Sequence, residues 1–234
     1  MKNNNKFRLD VWGAITLGTI VLYALFLLYP MASLIRQSVL DPDTGSFTLA
    51  YFTKFFSKSY YFDTLINSFK VSITATVLSI AIGTPLAYLF TIFKIKGKSV
   101  LNILIVVASM SAPFIGAYSW ILLLGRSGVI TTFFKNLGIA IPDIYGFGGI
   151  VLVMTLQLFP LVFLYAKGAL KNIDNSLIEA AENLGCSGIA CFFKVVVPLI
   201  MPTLLAAALL VFMRSFADFG TPMLIGEGYR TFPV

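Results

Sequence analysis

Between Glu179 and Pro198 the chain reads EAAENLGCSGIACFFKVVVP. A helix-forming opening gives way to glycines, then to a β-branched run closed by proline. The stretch interrupts two long apolar segments. Just upstream, Ser176 and Glu179 stand three apart, the spacing of a capping box in which serine takes the third helical amide and glutamate reaches back. Leu177 to Leu184 then makes about two helical turns, ~12 Å long. Gly185 can close the helix with a left-handed residue. Leu177, Ala180, Ala181 and Leu184 share one face by helical spacing. That face is apolar and small in its middle, so another surface can approach the backbone closely. The spacing therefore predicts a short, capped helix with a docking face, held between two spans.

Composition sets the surroundings. The 234 residues are 58% hydrophobic and 12% charged, and Phe occurs 22 times. A soluble domain carries about 25% charged residues, so this is a membrane chain. The net charge of +7 does not point to nucleic acid, because the basic residues cluster beside apolar spans, where they fix orientation. There is no histidine, which removes the usual general base and proton relay. The two cysteines, Cys186 and Cys191, lack the company of a metal site and read as packing residues. No metal and no cofactor is expected on this chain.

Five segments are long and apolar enough to cross a bilayer as helices: Val11–Ile35, Val71–Phe93, Val100–Leu124, Gly149–Leu170 and Val195–Phe212. The first is too long for a cleaved signal core, so it reads as a retained span. Five crossings put three basic groups on one side: Lys2, Lys6 and Arg8; Lys94, Lys96 and Lys98; Lys167, Lys171 and Lys194. That side, with the N-terminus, is expected to be the cytoplasm. On the other side, DPDTG at Asp41–Gly45 signals a turn, and the aromatic run that follows suits a short interfacial helix. Helix breakers occur at Gly83–Pro85, Ser111–Pro113 and Pro160 and are read as kinks. The run FGTPMLIGEGYRTFPV at the end looks like the start of another element, so a further C-terminal span is expected.

With these residues in place, the chain resembles the inner-membrane permeases of binding-protein-dependent ABC importers. Their signature is E-A-A, three residues, G, nine residues, then I-x-L-P. Glu179, Ala180, Ala181, Gly185 and Pro198 match it, and Val195 and Val197 keep branched apolar character where Ile and Leu are usual. The resemblance implies an all-α, polytopic bundle of the type I importer kind. It implies one permease domain over residues 1–234, with a coupling loop at 171–198. Glu179, Ala180, Ala181, Leu184, Gly185 and Pro198 would couple to a cytoplasmic ABC ATPase dimer. The remaining partners would be a second permease copy or a homologous permease, an extracytoplasmic substrate-binding protein and the lipid bilayer of the bacterial inner membrane. ATP would be used by the partner, not by this chain. The one tempting phosphate-loop fragment, GKS at Gly97–Ser99, has Ile92 where the first glycine must stand.

Cargo is addressed by fewer residues. Arg214 and Asp218 are four apart at the outer end of the fifth span and are expected to pair, and Gln157 is polar within the fourth. These three are the candidate path residues. The segment SFADFGTPMLIGEGYRTFP resembles permeases for ferric iron, with relatives for polyamines and aminoethylphosphonate. Ferric iron or its chelate is the leading expectation, with those two cargoes as alternatives. An ion-coupled secondary transporter would want carboxylates inside its spans, and an intramembrane enzyme a nucleophile–base pair or metal cluster. The five segments hold no Asp or Glu.

Overall fold

The computed structural model describes residues 11–42, 44–93, 95–110, 112–139, 142–186 and 188–234, apart from the side chains of Asn175 and Glu182. Lys2, Lys6, Arg8, Asp43, Lys94 and Ser111 lie outside the described residues. The chain divides into two compact units, Met1–Phe62 and Asp63–Val234.

In the first unit, α1 (Val11–Tyr23) runs through a π-turn at Ala24–Leu28 into α2 (Tyr29–Val39). A small hairpin follows, closed by the Leu40–Phe47 bridge and by the Gly45 amide donating to the Asp41 carbonyl at 2.8 Å. Gly45 takes the left-handed conformation this turn requires, with φ 65°. The aromatic run then forms α3 (Ala50–Ser57), as its composition led one to expect.

The second unit is built on α4 (Ser59–Ile92) and α8 (Phe147–Lys171). Between them come α5 (Lys98–Ser109), α6 (Pro113–Leu124) and α7 (Val129–Asn136). After α8 come α9 (Asn175–Asn183), α10 (Gly188–Cys191), a π-turn at Phe192–Val196, α11 (Val197–Phe216) and α12 (Gly220–Ile225). Among the described residues, five helical stretches are long and apolar enough to span: Val11–Val39, Ser59–Ile92, Pro113–Asn136, Phe147–Lys171 and Gly188–Phe216. No strand longer than a single bridge occurs among the described residues.

The expected third span, Val100–Leu124, is not one helix. Pro113 holds Ala112 in an extended conformation (φ −70°, ψ 141°), from which α6 starts, and α5 has already ended at Ser109. The long apolar stretch begins at Pro113, with α5 a shorter apolar helix before it, and α5 and α6 together follow α8 from its end to its start. Lys167, near the end of α8, donates to Asn102 on α5, while Arg126, just past α6, reaches Asp143, just before α8. The fourth span is continuous through Pro160, and the second through Pro85. Gly83 breaks nothing. A Cβ there would lie 2.9 Å from the Phe159 carbonyl oxygen and 2.9 Å from the Val162 Cβ, so the glycine lets α4 and α8 touch backbone to backbone. Small residues Ser68, Ser72, Ala75, Ser79 and Ala87 are buried along the same face of α4, where Ser68 Oγ accepts the Phe232 amide at 2.7 Å.

The fifth helical stretch starts at Gly188, seven residues before the expected Val195. The Val195–Pro198 run is helical because a π-turn precedes the proline: the Val197 amide donates to the Phe192 carbonyl, five residues back. The same device precedes Pro30, where the Tyr29 amide donates to the Ala24 carbonyl. A wider turn moves the carbonyl four residues before proline away from its ring, which would otherwise clash with it. The longer second span also brings in Asp63, just past its first turn.

Two apolar clusters stack along α8. One joins Phe90, Phe163, Ala166, Phe192, Val196 and Ile200 near its C-terminal end. The other joins Val71, Ala117, Ile150, Met154 and Ile225 near its start.

Candidate coupling loop and cavity

The loop after α8 is shaped by three local devices. Asp174 Oδ1 accepts the Ser176 amide at 3.0 Å, so Asp174 caps α9, which begins at Asn175. This overturns the expected box of Ser176 with Glu179. Ser176 already lies inside the helix, and a carboxylate one residue before it serves the positive helix end better than a hydroxyl. The bonds from the Ser176 amide and hydroxyl hold the Asp174 carboxyl below its ordinary value. Glu179 is thereby left exposed, with no capping task.

At the other end Gly185 has φ 82°, and the Cys186 amide donates to the Ala181 carbonyl at 3.0 Å. This is the six-to-one bond of a Schellman close, as the glycine's position predicts. Gly188, also left-handed at φ 57°, turns the chain into α10. Inward, Ile173 and Ile178 pack on the apolar cluster at the end of α8.

Outward, the apolar residues are bare. Leu184 is 89% exposed and Ile189 is 78% exposed, where an isolated apolar side chain has nothing to gain from water. Ala180 is exposed, Ala181 is half-buried and Leu177 is half-exposed. The predicted face is therefore split: Leu184 and Ala180 point away from the bundle, while Ile178, on the neighbouring face, anchors it. Pro198 is exposed in the first turn of α11, past the π-turn. Cys191 is buried and Cys186 half-buried, and neither forms a disulfide.

The three candidate path residues share one cavity of about 810 Å³. Gln157 from the middle of α8, Arg214 from the end of α11 and Asp218 from the turn into α12 line it, beside the α5–α6 break at Met110 and Pro113. The expected Arg214–Asp218 pair does not form. Helix α11 ends at Phe216, so Asp218 leaves the helical register that four-residue spacing assumes. Its Oδ1 instead accepts the Gly220 amide at 2.9 Å, and its Oδ2 accepts the Thr221 hydroxyl at 2.6 Å. Among the described residues no carboxylate pairs with Arg214. The Gln157 Nε2 is buried without a hydrogen-bond partner.

One cluster escaped sequence reading. Arg126 bonds Asp143 at 2.9 Å and Glu227 at 2.6 Å, and its guanidinium lies 4.8 Å from the Tyr145 ring centre. It ties the α6–α7 turn, the approach to α8 and the residues after α12 at the end of the bundle opposite α9. The only trace of this in the sequence is an arginine in a glycine turn, LGRSG.

Comparison with known proteins agrees with this architecture. The ferric transport system permease protein FbpB of Actinobacillus pleuropneumoniae is 28% identical over 232 residues, covering 98% of this chain and 33% of that relative. The chain thus spans about a third of the length of its ferric relatives. The spermidine/putrescine transport system permease protein PotB of Haemophilus influenzae is also 28% identical, covering 95% of this chain and 79% of that protein. Among solved structures, a bacterial alginate ABC transporter in complex with an alginate pentasaccharide-bound periplasmic protein superposes with a TM-score of 0.74 at 17% identity, covering 95% of this chain and 78% of that one. The profile of one family matches residues 46–233. With that match over most of its length, and with an all-helical bundle of the type I ABC permease kind, the chain belongs to the family of binding-protein-dependent transport system inner membrane components.

Proposed function

We propose that this ABC importer permease transmits the work of a separate, cytoplasmic ATPase dimer through α9, and that its cargo is ferric iron carried as a chelate. The observation that carries the coupling role is the bare apolar end of α9, Leu184 at 89% exposure, in a loop anchored from beneath by Ile173 and Ile178. A rigidly seated helix with an unburied apolar tip is suited to receive a groove and move the bundle with it. Glu179, free of capping, is available to a polar partner. On this reading α9 and the N-terminus face the cytoplasm. A second permease copy or homologue completes the path, and an extracytoplasmic binding protein delivers the cargo. The alginate transporter's bound periplasmic protein supports the last of these by analogy of fold.

For the cargo, relatives named for ferric iron and for spermidine/putrescine are equally similar, at 28% identity. The preference for ferric iron rests on the resemblance of the segment SFADFGTPMLIGEGYRTFP at residues 215–233. In the cavity Arg214 forms no ion pair among the described residues and can meet an anionic iron chelate, while the Asp218 carboxylate, bonded to Gly220 and Thr221, keeps its own charge on the same lining. The second reading, a polyamine, rests on PotB matching over 79% of its own length; an aminoethylphosphonate cargo rests on sequence resemblance alone. Uptake into proteoliposomes holding the reconstituted importer tests both parts. ATP-driven iron accumulation that spermidine does not compete supports the proposal. Spermidine uptake without iron uptake overturns the cargo, and ATP-independent uptake overturns the coupling.

A further inference from the structure

At the end of the bundle that carries α9, Lys98, Lys167 and Lys171 line a cavity of about 320 Å³ together with Thr91, Ser99 and Asn102. Among the described residues no carboxylate lines it. Lys167 donates to Asn102 Oδ1 and stands 5.4 Å from the Phe163 ring centre, so its partners carry no negative charge. Lys171 is accounted for by its place in the last turn of α8, where a cation complements the helix dipole. Lys98 is not. It opens α5, the end of a helix that is already positive, and no side chain caps that end. Three like charges around one small cavity repel one another unless an anion sits among them.

The surroundings identify the anion. Beside the cavity the outward face of α5 is apolar, with Val100, Leu101, Ile103 and Leu104 exposed. An anion bound here would lie at headgroup depth, with hydrocarbon able to run along α5. We propose that this cavity binds the phosphate of an anionic phospholipid headgroup in the leaflet on the α9 side. Such basic pockets between spans are where anionic headgroups are held. The assignment gives the Gly97–Ser99 turn a role that has nothing to do with nucleotide. It also places a lipid contact on α5 and α8 together, α8 being the helix that leads into the α9 loop.

The test uses the full chain in nanodiscs and measures binding of phosphatidylglycerol against phosphatidylcholine. Wild type is expected to prefer phosphatidylglycerol. Each neutralised lysine should weaken that preference about fivefold, so K98Q loses about fivefold and K98Q/K171Q about 25-fold. K135Q, at the opposite end, should lose nothing, and K98R/K171R, which keeps the charge, should bind as wild type does. The proposal fails if the double neutral variant binds like wild type, or if K135Q weakens binding as much. It also fails if K98R/K171R does not restore binding. Inorganic phosphate is the remaining arm: if it occupies the site and displaces the lipid at equal concentration, the cavity is a free-anion site and the lipid assignment is wrong.

Discussion

Truncating Leu184 to alanine separates docking from folding. The side chain is 89% exposed, so almost none of its burial energy is used within this chain. An exposed apolar residue of that kind contributes within about 0.5 kcal/mol of zero to stability. If the tip of α9 enters a groove on an ATPase, the leucine becomes buried there, a gain of roughly 1.5–3 kcal/mol for a full side chain. Alanine keeps a minor part of this, which leaves a loss of about 2 kcal/mol and thus ~30-fold weaker association. The assay titrates the purified ATPase subunit onto wild-type and L184A permease in nanodiscs, with a thermal melt of each permease alone. Docking through Leu184 is expected to give a ~30-fold shift in Kd and superimposable melts. Equal affinities would refute it, because the bare leucine would then have no partner. A markedly lower melting temperature would refute it differently, by showing that Leu184 is packed.

Replacing Gly185 by leucine forces a branched side chain into φ 82°, a cost of about 1–2 kcal/mol, although no atom lies within 4 Å of the new Cβ. ATP hydrolysis should then persist while uptake falls, with membrane insertion unchanged by protease mapping. Gly83→Val drives a side chain into the α8 backbone and should cost about 1–3 kcal/mol, read as a lower melting temperature in detergent. Asp174 gives a pH signature. Its folded-state value lies below its unfolded one, so the cap supports α9 above the ordinary carboxylate range and is lost as pH falls through the folded value. Protection of the α9 amides, corrected for intrinsic exchange, should hold from pH 7 to about 5 and drop only below about pH 4; D174N should show no such drop.

The spans were legible because a bilayer demands long apolar helices, and hydropathy reports that directly. Their ends and interruptions were not, because proline acts differently by context. Pro113 separates two helices, whereas Pro85 and Pro160 sit inside continuous ones and Pro30 and Pro198 follow π-turns. Gly185 was readable, since a left-handed close is a local property. The N-terminal cap was missed by two residues, because Asp174 and Ser176 both suit the position and only the start of the helix decides between them. The Arg214–Asp218 pair failed for a related reason: four-residue spacing means contact only if the helix continues, and it stops at Phe216. Arg126 with Asp143 and Glu227 could not be found by pattern, since its partners lie 17 and 101 residues away. That Gln157, Arg214 and Asp218 line one cavity was likewise outside the reach of spacing, because three different elements supply them.

Everything proposed for transport depends on α9 presenting its tip to a cytoplasmic engine. A cysteine placed at 184, with Cys186 and Cys191 replaced by serine, tests it most directly in whole cells carrying the assembled importer. The expected result is a cross-link from position 184 to the ATPase subunit whose yield changes with ATP, and no labelling by a membrane-impermeant maleimide added outside. Labelling from outside, or photo-labelling of that position by lipid in place of protein, would contradict it.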